Sequence, residues 1–358
     1  MKRDYSKFLR PPATDGSPKR IPTKLETLGW KPFFAQQIST EDLDRTPPVR
    51  IVEVQRSGFH VLGDGIDTVV PPNPEATVGD WLLLDEARPG SSAVLERKSL
   101  IKRRAPGSDR QVQLIAANID TAFIVSSCNQ DFNIARLERY IAVALEAGVS
   151  PVIVLTKSDL CETPDNYVAK ASGISDLVPV VVLDARGDEP RQKLADWCKP
   201  GQTVAFLGSS GVGKSTLTNA LLQSLSIQTQ AIREDDAKGR HTTTSRRLHI
   251  LPDACAVLDT PGMRELQLAD VETGLAHLFS DIDALSMQCR FTDCQHVSEP
   301  GCAVLAAVET GEIDEVRLGR WRKLIAEERF NTSSLAQRRS KDKAFGKMIR
   351  TIKKQSKK

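Results

Sequence analysis

The octapeptide GSSGVGKS at residues 208–215 has the residue types and spacing needed to hold a phosphate chain. Gly208, Gly211 and Gly213 let the backbone fold tightly, so that N–H groups along the loop, including those of Ser209, Ser210 and Val212, point at phosphate oxygens. Lys214 would reach the β- and γ-oxygens, and Ser215, followed by Thr216, would hold Mg²⁺. The apolar run TVAFLG (203–208) before the loop reads as a strand, and STLTNALLQSL (215–225) after it reads as an amphipathic helix. A Gly-rich turn without this role would not bring strand, loop, Lys-Ser pair and helix together.

Further residues belong to the same chemistry. DTPG (259–262) ends the apolar run ACAVLD (254–259). Asp259 would act on Mg²⁺ through water, and Gly262 would offer its N–H to the γ-phosphate. Between the two lies GRHTTTS (239–245). A Thr there can complete the Mg²⁺ shell and close over the γ-phosphate, giving the loop two states. Thr243 is the first choice and Thr242 the alternate, against a plain polar loop. TKSD (156–159) follows the strand-like PVIVL (151–155). Asp159 can accept from both N1–H and the 2-amino group of guanine, a pair that adenine lacks. Lys157 would pack its stem along the base, with Ser158 between them. Thr156 stands where Asn is usual, and a hydroxyl does not bridge two partners as an amide does. After the next apolar run, LVPVVVLDA (177–185), Asp184 and Ala185 would support the guanine O6 through a backbone N–H.

The order along the chain is base reader, base support, phosphate loop, switch, DTPG. That is a guanine-nucleotide domain opened between its DTPG strand and its base-reading half, with the old ends joined by CKPGQ (198–202). Contacts rather than chain order define a site, so a permuted chain can keep the same sheet.

Cys289, Cys294, His296 and Cys302 form a second set, spaced C-x₄-C-x-H-x₅-C. Three thiolates and an imidazole suit tetrahedral Zn²⁺, and four protein ligands leave no open position, so such a site is structural. The spacing is not the common C-x₂-C, and three reduced cysteines near a surface His is the alternative. Cys128, Cys161, Cys198 and Cys255 are scattered and read as free thiols. An odd count of seven cysteines argues against a disulfide framework.

These side chains must be positioned by a chain of 358 residues, long enough for two or three domains. Hydrophobic residues make up 40% and charged residues 27%, the ordinary globular range. No apolar run of the length of a membrane span occurs, and the basic N-terminus has no apolar core, so a soluble cytoplasmic protein is expected. Short alternating segments at 49–55, 59–63, 67–71, 80–85 and 92–99 predict a small antiparallel barrel, of OB type or another. From 112 onward apolar strands alternate with helical stretches, such as NIARLERYIAVALEAG (133–148), which predicts a parallel α/β sheet. From about 270 the chain turns polar and helical. The net charge is only +3, but KRIPTK, RKSLIKRR (97–104) and the tail from Arg338 are basic runs. They are either solvated surface or contacts for phosphate-rich nucleic acid.

Together GDWLLLD (79–85), TKSD, GSSGVGKST, GRHTTT, DTPGMRE (259–265) and the Cys/His cluster resemble the circularly permuted GTPases of ribosome assembly. Among these the chain is similar to the bacterial RsgA (YjeQ) family, as a member or a divergent paralogue with a long N-terminal arm carrying LGW (28–30). The resemblance implies a multidomain chain. Residues 1–46 would be an arm and 47–105 an OB-type β-barrel. Residues 112–268 would form a circularly permuted P-loop α/β GTPase domain and 269–335 a mainly α zinc-binding domain, with 336–358 as a basic tail. It further implies a slow GTPase stimulated by the small (30S) ribosomal subunit, which binds 16S rRNA late in maturation and helps release another assembly factor. GTP/GDP, Mg²⁺ and one structural Zn²⁺ are the implied ligands, with no membrane partner and a monomeric state. Lys214 and Thr243 are the expected catalytic groups. His241 is the candidate for the water-orienting role, because Met263 follows Gly262 and a thioether cannot orient water; a solvated loop His is the alternative. Rival readings are a P-loop kinase or ATPase, and a module that binds GTP without turnover.

Overall fold

The structure, a computed structural model, describes residues 22–39, 45–55, 57–104, 112–222, 246–251, 255–259 and 270–332. The first described residues are two short helices, α1 (Lys24–Thr27) and α2 (Pro32–Ala35). Thr23 and Glu26 form a capping box that starts α1, each side chain taking the other's backbone N–H. Leu28 and Phe34 are buried against Trp81 and Leu95, and Trp30 meets the Trp81 ring edge-on at 4.7 Å. The apolar residues of LETLGWKPFF thus dock the segment, which covers a Trp that would otherwise be solvated.

Five strands follow on the five alternating segments: β1 (Pro48–Gln55), β2 (Gly58–Gly63), β3 (Asp67–Val70), β4 (Trp81–Leu83) and β5 (Ala93–Val94). β1 pairs antiparallel with both β2 and β4, with a shift of register between Ile51 and Glu53. β6 (Leu100–Arg104) and β7 (Val112–Ala117) form a separate antiparallel pair.

That pair takes in RKSLIKRR, whose Lys98 and Lys102 side chains stay exposed. The segment is half strand, with Ile101 buried. Arg97 grips the buried Asp80 through both carboxylate oxygens, at 2.7 and 2.8 Å, and Lys98 reaches Asp120 at 3.1 Å. Burial raises the Asp80 carboxyl above its ordinary range, although Arg97 opposes that.

The remaining strands and helices alternate. They are β8 (Thr121–Ser127), α3 (Ile134–Glu146), β9 (Ser150–Thr156), α4 (Pro164–Ser172), β10 (Val180–Val182), α5 (Glu189–Lys193), β11 (Thr203–Leu207), α6 (Lys214–Leu222), β12 (Arg246–Ile250) and β13 (Ala256–Asp259). The main sheet runs β10-β9-β8-β11-β13-β12-β1-β2-β3. Its first five strands are mutually parallel, and β12 and β1 are antiparallel additions. β8, β9 and β11 are apolar and buried along nearly their whole length, as a sheet covered on both faces requires. β10 is an edge strand and only half-buried, unlike the buried strand that its composition predicts.

Four more helices close the described chain: α7 (Glu272–Leu278), α8 (Ser280–Ser286), α9 (Ala303–Glu309) and α10 (Glu315–Thr332). α7 packs on α3, whose N-cap Asn133 accepts from the Arg136 N–H, while α8 and α10 pack on α7 and α9 packs on α8. Leu137 and Ile141 of α3 are buried, and so are Ala142, Val143 and Ala144, where α7 comes against the helix. A Cβ on Gly274 would lie 2.0 Å from the Ala142 carbonyl oxygen, so only glycine permits this approach. From α10, Arg320 reaches the buried Glu138 of α3 at 2.8 Å. No helix among the described residues is long and apolar enough to cross a membrane.

A buried cation ties the parts together. Arg50 is 1% exposed and donates to the carbonyls of Leu28, Gly79 and Asn118 and to the Thr203 hydroxyl. Burial brings its pKa down to about 10, far enough above neutral pH that it stays charged. Asp120 joins the same seam, accepting from Lys31, Lys98 and the Thr203 N–H.

Candidate functional site

Parallel strands leave a crevice outside their carboxyl ends, and four of the sequence signals arrive there. Thr156 is the last residue of β9. Asp184 lies just past β10, Gly208 follows β11, and Asp259 ends β13. The phosphate loop is forced into shape by its glycines. Gly208, Gly211 and Gly213 have φ of 145°, 76° and 96°, and a Cβ on Gly208 would sit 2.4 Å from the Val125 carbonyl oxygen. The buried Val212 anchors the loop from below, while Ser210, Gly211 and Ser215 are exposed at its mouth, with Ser209 and Thr216 half-buried beside them. Lys214 Nζ donates to the Gly208 carbonyl at 2.8 Å and to that of Ser209. The cation therefore sits across the loop.

Thr156 turns out to have partners. Its buried hydroxyl lies 2.7 Å from the Val212 carbonyl oxygen and 3.2 Å from that of Ser126. The hydroxyl has one proton, and the nearer Val212 carbonyl is its main acceptor, so this short side chain ties the phosphate loop to the end of β9 without bridging two groups as an amide would. Replacing Thr156 by Val keeps its shape but removes the hydroxyl donor from the Val212 carbonyl, a loss of about 1 kcal/mol. GDP affinity should drop roughly tenfold for Thr156→Val if this tie holds the loop in its binding shape. Unchanged affinity in a GDP titration would show that the tie is irrelevant to binding.

Beyond Thr156 the chain turns sharply. Lys157 has φ of 59°, in the left-handed region, and Ser158–Leu160 form one 3₁₀ turn that presents Asp159. The Asp159 carboxylate faces the loop after β10, where Arg186 Nη2 donates to its Oδ2 at 3.0 Å. Asp184 builds that loop, as its Oδ1 accepts the Arg186 N–H at 2.9 Å and its own N–H goes to Glu189. The Ala185 N–H has no hydrogen-bond partner among the described residues. Sequence reasoning missed Arg186, because nothing in LDARG says that its side chain returns to a carboxylate 27 positions earlier.

His241, Thr242, Thr243 and Gly262 lie outside the described residues, and of Asp259 only the backbone is described.

The Cys/His set does come together. Cys289 Sγ lies 3.8 Å from Cys302 Sγ and 3.5 Å from His296 Nδ1, and His296 Nδ1 lies 3.4 Å from Cys302 Sγ. With Cys294, all four ligand atoms fall within 4.8 Å of one another. A tetrahedral ion with ligands at about 2.3 Å (S) and about 2.0 Å (N) has edges of roughly 3.5–3.8 Å, so the donors fit a metal of that size. Cys302 also N-caps α9, its sulfur accepting from the Leu305 N–H. Three residues shape this cluster without any sequence signal. Glu299 accepts the N–H groups of Gln295, Ser298 and Val297, which hold its carboxyl down at about 2. Arg322 donates to the His296 carbonyl, and the Trp321 ring packs edge-on to the imidazole at 5.5 Å.

A sequence model described as RsgA GTPase matches residues 94–269. Over 331 residues the chain is 47% identical to the Small ribosomal subunit biogenesis GTPase RsgA 2 of Vibrio parahaemolyticus, with 92% of each chain covered. The crystal structure of YjeQ from Thermotoga maritima matches with a TM-score of 0.59 at 27% identity, over 78% of this chain and 97% of that one. YloQ, whose structure is described as a circularly permuted GTPase, matches in fold with a TM-score of 0.55 at 22% identity, over 80% of this chain and 96% of its own.

Proposed function

The chain belongs to the RsgA GTPase family, and from that premise we propose that it hydrolyses GTP to GDP and phosphate on the small ribosomal subunit. The observation that carries this is the meeting of TKSD, LDARG, the phosphate loop and the DTPG strand at one sheet edge, despite their permuted order. The name of the Vibrio relative supports the choice of the small subunit as partner.

In this reading Asp159 accepts the N1–H and 2-amino group of guanine, Lys157 packs along the base, and the Ala185 N–H donates to O6. Backbone N–H groups from Gly208 to Thr216 and the Lys214 ammonium cradle the phosphates. Ser215, Thr243 and Asp259 are the residues for Mg²⁺, which when bound neutralises charge on the β- and γ-oxygens. Cys289, Cys294, His296 and Cys302 hold one structural Zn²⁺. β1 pairing on both sides with β2 and β4 supports an OB-type barrel for residues 47–105. The Lys-rich tail after Arg338 would contact 16S rRNA, with strong salt dependence. Late in maturation, the GTP cycle would help release another assembly factor.

Turnover should be slow without the subunit, because Met263 occupies the place after Gly262 where a water-orienting amide is common. His241 takes that role on the subunit. His241→Ala should then keep GTP affinity and lose about 10²-fold of the subunit-stimulated rate, the usual weight of one positioned polar group. Equal stimulated rates for the variant and the parent chain would rule His241 out.

A further inference from the structure

The Asp159 carboxyl group ends a side chain that is 28% exposed, on a one-turn 3₁₀ segment with no buried residue. The rotation of such a terminal group is broad and shallow. Yet guanine recognition by one carboxylate needs that plane, because N1–H and the 2-amino group must each meet one oxygen. Its neighbour Asp184 is itself an acceptor and cannot hold Asp159 directly. What holds it is Arg186, donating to Oδ2 at 3.0 Å. Arg186 is held in turn by Asp184, whose Oδ1 accepts its N–H at 2.9 Å and lies 3.9 Å from its Nε.

We infer that Arg186 is a positioning residue for base specificity: it sets the plane of the Asp159 carboxylate so that both oxygens engage guanine. The inference rests on the guanine-site reading given above. A carboxylate oxygen has two lone-pair sites, so the Arg186 bond to Oδ2 leaves one for the base. The Arg186 side chain is 66% exposed, and exposed ion pairs contribute little to folding stability. Its value is therefore geometric, and it should appear in discrimination between bases more than in stability.

Inosine nucleotides separate the two effects. Hypoxanthine keeps N1–H and O6 but lacks the 2-amino group, so it uses one carboxylate oxygen and tolerates a rotated plane. The experiment measures Kd for GDP, IDP and ADP with the full-length chain, Arg186→Ala and Arg186→Lys, and the melting temperature of each without nucleotide. For Arg186→Ala we expect GDP to bind about fivefold more weakly and IDP by less than about twofold, so that the preference for GDP over IDP shrinks. Arg186→Lys, which keeps one cationic donor, should recover part of that preference, and all three should melt alike. An unchanged GDP-to-IDP ratio in Arg186→Ala would overturn the inference. Tighter binding of both nucleotides would also overturn it, by making Arg186 a competitor for Asp159. Should the parent chain itself fail to prefer GDP over ADP, the guanine-site reading falls, and this inference with it.

Discussion

Replacing Lys214 by Ala should lower single-turnover GTP hydrolysis by about 10²–10³-fold, the usual cost of removing one preorganised charge-stabilising donor. The transferring phosphoryl group spreads negative charge over its outer oxygens, and the protein's part is to be positively charged in the right place beforehand. Lys214 already is, with its ammonium held across the loop by the Gly208 and Ser209 carbonyls. Those two bonds are modest and local, so the ammonium can exchange them for phosphate oxygens without disturbing β11 or α6. The fold should survive the change, because the loop shape comes from Gly208, Gly211, Gly213 and the buried Val212. The assay is a single-turnover rate with GTP in contact with excess protein, beside a melting curve. A rate within about fivefold of the parent chain would mean that Lys214 is not the group that stabilises the transferring phosphate.

Cys302→Ala should release the metal and unfold the segment from Cys289 to α9. Cys302 contributes a sulfur to the cluster and also caps α9, so one substitution removes two supports. Zinc binding in small sites is worth roughly 10–16 kcal/mol of apparent folding energy, and between Cys289 and Cys302 the chain has few apolar residues to replace it. We expect metal content, by atomic absorption, to fall from about one ion per chain to below about a tenth. The melting temperature should fall by about 10 °C or more. GDP affinity should stay within about threefold, because the nucleotide groups come from β9, β10, β11 and β13, while α9 packs on α8. Full metal content with an unshifted melting curve would contradict a structural zinc site.

How much of this was legible in the sequence depended on whether a signal was local. The phosphate loop, TKSD and the Cys/His set each lie within one short segment, where residue types and spacing carry the chemistry. The strand runs were equally readable, since alternation and apolar continuity are local properties. Pairings across the fold were not. Nothing in RKSLIKRR announces that Arg97 belongs to Asp80, because a charge looks the same whether its partner is water or a buried carboxylate. Arg50 sits between Val49 and Ile51 in a strand, where the side chain of an exposed cation would read identically, yet it is the buried centre of the seam. β10 is half-buried for a related reason: three valines suit a buried strand, but which strand ends a sheet is set by topology. Thr156 had a departure from the usual residue as its only visible feature, and its contact with Val212 emerged only when the loop was placed beside it.

The proposed activity stands most directly on one measurement, single-turnover GTP hydrolysis by the full chain with and without purified small ribosomal subunits, at fixed salt. The account predicts slow hydrolysis alone and a rise of at least about tenfold with the subunits, absent when ATP replaces GTP. Equal rates with and without subunits, or equal use of ATP, would contradict it.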